Sequence, residues 1–156
     1  MRVALVHDYL NQYGGGERVL EALCEIWPEA PIFTLVYSPD HTGFAFESRK
    51  IFTSFLQKIP LVRGHHRSFL MLMPLAIEQF DLSKYDLVVS DAHSFAKGII
   101  TRPKTLHICY CHTPTRYVWD DSHKYIEEFN YPGIVKKFIP FFLNYLRLWD
   151  EAASLR

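Results

Sequence analysis

The sequence predicts an α/β protein built on a parallel sheet flanked by helices. Three observations carry that prediction. Short apolar runs rich in β-formers recur along the chain: RVALVH at 2–7, IFTLVY at 32–37, DLVVS at 86–90 and LHICYC at 106–111. Such runs, bounded by turn residues, mark strands, and those at 2–7 and 86–90 read as buried on both faces. Helical periodicity fills the stretches between them, and strands alternating with helices favour parallel pairing. Polar and glycine residues gather directly after the strands, at the edge where open parallel sheets bind their ligands.

Length and composition narrow the class. A chain of 156 residues allows one domain with a real core. Lys plus Arg equals Asp plus Glu, 17 each, so charge gives no footprint for nucleic acid. The three cysteines, Cys24, Cys109 and Cys111, form no disulfide framework and suggest reduced thiols in a cytoplasmic protein. The opening residues do not read as a signal peptide, because Asp8 interrupts a short apolar run. No stretch reaches the roughly 18 apolar residues of a membrane span.

The elements follow in order. The first strand, Arg2 to His7, leads through Asp8 to Tyr13 into Gly14, Gly15 and Gly16. Val19, Leu20, Leu23, Ile26 and Trp27 then recur at helical spacing, so a helix runs from about Gly16 to Ile26 and Pro28 stops it. The second strand, 32–37, turns at Ser38-Pro39-Asp40; residues 49–55 read equally as a short strand or a helical turn. Arg63-Gly64-His65-His66-Arg67 is a compact basic loop before a helix over 69–80 with Pro74 near its first turn. The third strand, 86–90, is followed by Asp91-Ala92-His93-Ser94 and a short helix around 95–97 that ends at Gly98. The fourth strand, 106–111, leads into His112-Thr113-Pro114-Thr115-Arg116. Residues 134–155 are helical, with an interruption at Pro140. There is no internal repeat.

Three separate loops therefore meet at one sheet edge: Asp8 with Gly14 to Glu17, Asp91 to Ser94, and His112 to Arg116. A glycine loop that opens a helix suits an anion. Glycine permits close approach and positive φ, and the first helical turn presents free N–H groups and the positive end of the dipole. The spacing matches neither G-x-G-x-x-G nor a P-loop, and a flexible turn is the alternative reading. Asp91 reads as a cleft residue or a helix N-cap. His112 reads as a loop histidine bonded to the backbone, or as a ligand-facing group whose charge is tunable near neutral pH. His107, Cys109, Cys111 and His112 do not have structural zinc spacing; strand alternation explains them, and no metal is expected.

MRVALVHDYL with GGGERV downstream, then VVSDAHSFAKG, then HICYCHTPTRYVWD, resemble the N-terminal domain of retaining glycosyltransferases of the GT-B fold. The group is the glycosyltransferase family 4-like enzymes, which include bacterial mannosyltransferases of polysaccharide assembly. The resemblance covers nearly the whole chain and is specific for the family, not for the sugar. It implies two Rossmann-like domains facing a cleft, the N-terminal one receiving the acceptor and the C-terminal one the nucleotide sugar. It further implies transfer of a hexose, mannose among the candidates, from a GDP- or UDP-linked donor to a glycan or lipid-linked acceptor, with retention and without metal or cofactor. Gly15 and Gly16 would match the loop that approaches the donor diphosphate and the acceptor. His112 would match the histidine that faces the transferred sugar. Gly14, Glu17, Asp8, Asp91, His93 and Arg116 are the further substrate-binding candidates; Arg116 can instead pair with Asp120 or Asp121.

A full enzyme of this family is more than twice as long. Its second domain carries a basic pair on the donor phosphates and an E-x7-E pair. Glu17 and Glu25 share that spacing but lie on the first helix, so the match is chance. The chain closes in DEAASLR without a helix stop. The expectation is an acceptor-side domain, residues 1–156, of a longer enzyme, inactive without a donor-binding partner. The rival reading is a non-catalytic acceptor-binding or interaction module that pairs with a separate donor-binding subunit. A nucleotide-binding protein unrelated to sugar is weaker, since no acidic residue is clearly placed for a ribose. The basic, histidine-rich loop and Lys136-Lys137 stand beside apolar stretches. That pattern suits peripheral contact with the inner face of the cytoplasmic membrane, or packing in the core or against a second domain.

Overall fold

The computed structural model describes residues 1–113, 115–120 and 133–156. Its elements are β1 (Val3–Leu10), α1 (Gly15–Ile26), β2 (Ile32–Tyr37), β3 (Ile51–Thr53), α2 (Val62–His65), α3 (Met73–Glu78), β4 (Leu87–Ala92), β5 (Leu106–Cys111), α4 (Arg116–Trp119) and α5 (Gly133–Ser154). Short 3-10 turns join several of them.

The five strands form an all-parallel sheet in the order β3-β2-β1-β4-β5. With helices on its faces, the arrangement is α/β and Rossmann-like. The chain builds outward from β1 to β3, returns to the other side of β1, and builds outward again from β4 to β5. The order reverses between β1 and β4, so their C-terminal ends flank a topological switch point. Register places Leu5 opposite Val89 and His7 opposite Asp91.

Strand alternation splits the core in two. Leu5, Ile32 and Val89 pack with Leu20 and Cys24 of α1. Ala4, Val6, Leu35 and Val88 pack with Met73 and Ile77 of α3 and with Leu143 and Leu146 of α5. Each fully buried leucine or isoleucine contributes about 1.5–3 kcal/mol. Asp150 of α5 fastens that helix to its neighbours. It meets Lys97 Nζ at 2.8 Å and accepts from Thr115 Oγ1 at 2.8 Å and Trp119 Nε1 at 3.0 Å.

The structure departs from the sequence reading in three places and decides one that it left open. β1 continues through His7 and Asp8 to Leu10, because both polar side chains find partners inside the fold. Residues 51–53 are a strand, pairing with β2. The basic stretch starting at Arg63 is helical rather than a loop, and the helix expected over 69–80 is divided. A 3-10 segment, His66–Leu72, precedes α3, and within it Phe69 (φ −109°, ψ 15°) lies outside helical geometry. Pro74 opens α3, where its missing N–H is not needed. α5 runs unbroken through Pro140. Core packing of Ile139, Leu143 and Leu146 on one side of the proline compensates for the one backbone bond it removes.

β5 lies at the sheet edge, with Leu106, Ile108 and Tyr110 exposed. α5 likewise exposes Phe138, Phe141, Phe142, Tyr145 and Leu148 on the side away from its core residues. Among the described residues no helix is long and apolar enough to cross a membrane.

Candidate functional site

At the switch point the last turns of β1 and β4 place three buried polar side chains together: His7, Asp8 and Asp91, each fully enclosed. Neighbouring residues on a strand face opposite ways, so His7 and Asp8 serve different structures.

Asp8 serves the loop after β4. Its Oδ2 accepts from the backbone N–H groups of His93 (2.6 Å) and Ser94 (2.7 Å). Its Oδ1 accepts from those of Phe95 (2.7 Å) and Ala96 (2.6 Å). Four charge-assisted bonds replace the water this carboxylate has lost. Expected as an acceptor contact, Asp8 has both oxygens engaged inside the fold; it shapes the loop that presents His93.

His7 serves Asp91. A carboxylate only accepts, so His7 Nδ1 donates to Asp91 Oδ2 at 2.8 Å. The other oxygen, Oδ1, meets His112 Nε2 at 2.5 Å. Asp91 thus bridges two imidazoles and does not cap a helix. On the far side of His7, Glu17 Oε1 stands 3.7 Å from Nε2. That is an ionic contact beyond hydrogen-bond reach, and Nε2 has no hydrogen-bond partner among the described residues. Glu17 is itself fixed by α1, its Oε2 accepting from Gly14 N–H at 2.8 Å. This is one arm of a capping box; glycine has no side chain to supply the other.

These contacts set the charges. Burial pushes His7 down, but its hydrogen bond to Asp91, the nearby Glu17 carboxylate and the surrounding negative charge outweigh burial and raise its pKa to about 9. Burial pushes Glu17 up, but His7 and the backbone N–H groups outweigh it and lower its pKa to about 2. At neutral pH His7 is therefore a cation between two carboxylates. His93 is held below its ordinary value, chiefly by burial and further by the neighbouring His112 and His7, against the pull of Asp8.

His93 joins the glycine loop to His112. Its ring stacks on His112 with centroids 4.2 Å apart and planes at 9°. Its other edge lies against Gly16. A Cβ at Gly16 would overlap His93 Nε2 and come within 2.6 Å of Cε1. The sequence reading gave two reasons for the glycines, close approach and positive φ. Close approach holds at Gly16; Gly14, Gly15 and Gly16 do not adopt positive φ. Gly15 faces open space. His112 is partly open, its side chain 18% exposed, and Tyr110 borders it edge-on at 5.0 Å.

The structure thus gathers Gly14, Gly16, Glu17, Asp91, His93 and His112 at one edge. Arg116 opens α4, and its side chain lies outside the described residues, as does Asp121. Among the described residues no three His, Cys, Asp or Glu side chains are placed to hold a metal ion. Sequence reading missed His7, which it took as the end of a strand. The available signal was the pair His7-Asp8 closing an apolar run, since a buried strand does not end in two ionisable groups without partners. Comparison with family models, with characterised proteins and with solved structures gives no match for this chain.

Proposed function

We propose that this chain is the acceptor-side domain of a retaining GT-B glycosyltransferase. It works with a donor-binding domain to transfer a hexose from a GDP- or UDP-linked sugar to a glycan or lipid-linked acceptor. The observation that carries the reading is the stack of His112 on His93, with His93 seated on Gly16. The three segments that resemble the family, far apart in sequence, converge there on the ligand-binding edge of a parallel sheet. His112 is the residue that faces the sugar. The start of α1 offers N–H donors where a leaving diphosphate gains charge.

The test is a titration followed by NMR at His112, His93 and Gly16. Methyl mannoside or methyl glucoside should perturb these residues, while GDP and UDP alone should bind weakly. If neither sugar moves His112, the glycosyltransferase reading fails. Sub-micromolar binding of GDP or UDP would make this a self-sufficient nucleotide-binding domain and remove the acceptor-side assignment.

The uncovered aromatic face of α5 and the exposed edge strand β5 favour the second reading, a non-catalytic module that docks on a separate subunit. Glycosyl transfer by a reconstituted pair, abolished by His112→Ala, would decide for the enzyme. Peripheral attachment to an anionic bilayer belongs with the same exposed face. Sedimentation with anionic vesicles, against neutral ones, tests it.

A further inference from the structure

A histidine that meets a ligand through one ring nitrogen either accepts a hydrogen there or donates one. Whatever holds the other nitrogen decides which. In His112 the held nitrogen is Nε2, 2.5 Å from Asp91 Oδ1. Nδ1 makes no hydrogen bond among the described residues and is the nitrogen left for a ligand. Asp91 is fully buried, and a buried carboxylate without a countercharge takes up a proton. His7 supplies the countercharge from the opposite side, 2.8 Å from Oδ2. His7 is in turn flanked by Glu17, which the N–H of Gly14 holds in place. The remaining groups do not compete: Asp8 is saturated by four N–H groups, and His93 offers His112 its ring face. Charge therefore alternates from α1 toward the cleft: anion, cation, anion, imidazole.

We propose that Glu17, His7 and Asp91 are positioning residues that hold His112 as a neutral imidazole with its hydrogen on Nε2, so that Nδ1 accepts a hydrogen bond from a ligand hydroxyl. This rests on the sugar-facing reading of His112 and narrows it. The group received at Nδ1 is a hydroxyl, which has a hydrogen to give, and not an ionised phosphate oxygen, which has none.

Heteronuclear NMR of the His112 ring reads the tautomer directly. The measurement is made on this chain at about pH 8, above the ordinary imidazole range. The expected result is a protonated Nε2 and an unprotonated Nδ1. In His7→Gln, Asp91 loses its countercharge. The amide of the introduced glutamine still donates to Oδ2, so Asp91 either takes up a proton on Oδ1, facing His112 Nε2, or draws a second one onto His112, and both routes place hydrogen on Nδ1. The unprotonated Nδ1 signal should disappear, and methyl mannoside affinity should fall at least roughly tenfold, the loss of one well-made hydrogen bond. Should His7→Gln fail to fold, Glu17→Gln should give the same change to a smaller extent. A hydrogen on Nδ1 in the unaltered chain would overturn the proposal, as would an unchanged His112 ring in folded His7→Gln. If the tautomer is as stated but methyl mannoside leaves His112 unmoved, the sugar reading falls and the positioning of the ring survives it.

Discussion

Asp8 and Asp91 sit at the ends of adjacent strands, both fully buried, and they do opposite things. Asp8 is satisfied by four backbone N–H groups. Asp91 is satisfied by two imidazoles. Backbone donors do not change their protonation, so Asp8 is a fixed fastener for the loop that carries His93. Imidazoles do, so Asp91 is linked to the charge of His7 and to the tautomer of His112. The chemical identity of the partners, and not the depth of burial, separates a carboxylate that builds a site from one that tunes it.

The strongest way to break this contrast is Asp8→Ala. Four buried N–H groups lose their acceptor, and a loss of about 4 kcal/mol or more is expected in urea unfolding. A loss under about 1 kcal/mol would mean that the loop does not depend on Asp8. Asp91→Asn should be gentler on stability but should change the His112 ring.

Next comes the pH dependence of stability. His7 has a folded-state pKa near 9, above its ordinary 6.5. Its contribution is therefore complete below pH 6.5 and is lost as pH rises toward 9. The full arm is on the order of 3 kcal/mol. Glu17 has a folded-state pKa near 2, below its ordinary 4.5, so its contribution is present above pH 4.5 and is lost on acidification toward 2. The two arms report one shared ion pair and do not add. His7→Gln should flatten the alkaline arm; an equally steep fall in that variant would assign the arm to another group.

Gly16→Ala should cost about 2 kcal/mol through overlap with the His93 ring. Gly15→Ala, which faces open space, should cost much less. Equal losses would show that backbone entropy and not His93 sets the requirement. The smallest effect on folding is expected from His112→Gln. Its ring is partly open, and Asp91 keeps His7, so the change should stay within about 1 kcal/mol in thermal unfolding. Loss of methyl mannoside binding without loss of stability would then sharpen the division between the two aspartates.

Much of the fold was legible in the chain. The runs at 32–37 and 106–111 match β2 and β5 to the residue, because apolar strands bounded by turns carry their own signal. The meeting of three loops followed from parallel topology alone. The contact between His7 and Asp91 was not legible. They are 84 residues apart, and only the pairing of β1 with β4 brings them into register. Nor did local pattern foretell α5 passing through Pro140, since propensity penalises the proline while core contacts decide the outcome. The role of Gly16 needed a partner that sequence spacing cannot supply. Three glycines in a row suggested one shared reason, yet a Cβ would overlap a side chain only at Gly16; at Gly14 it would stand 3.3 Å from Glu17 Oε2, and at Gly15 it would meet nothing.

That last contact has an evolutionary corollary. Positions 16 and 93 share one volume, enough for an imidazole at 93 or a Cβ at 16, but not both. Across any set of descendants the two sites should change together: a side chain at 16 should be accompanied by a smaller residue at 93. Since His93 is what His112 stacks on, such a paired change would also remodel the surface around His112. One methyl group on the first helix would thereby act as a lever on the setting of a histidine more than 90 residues away in the chain.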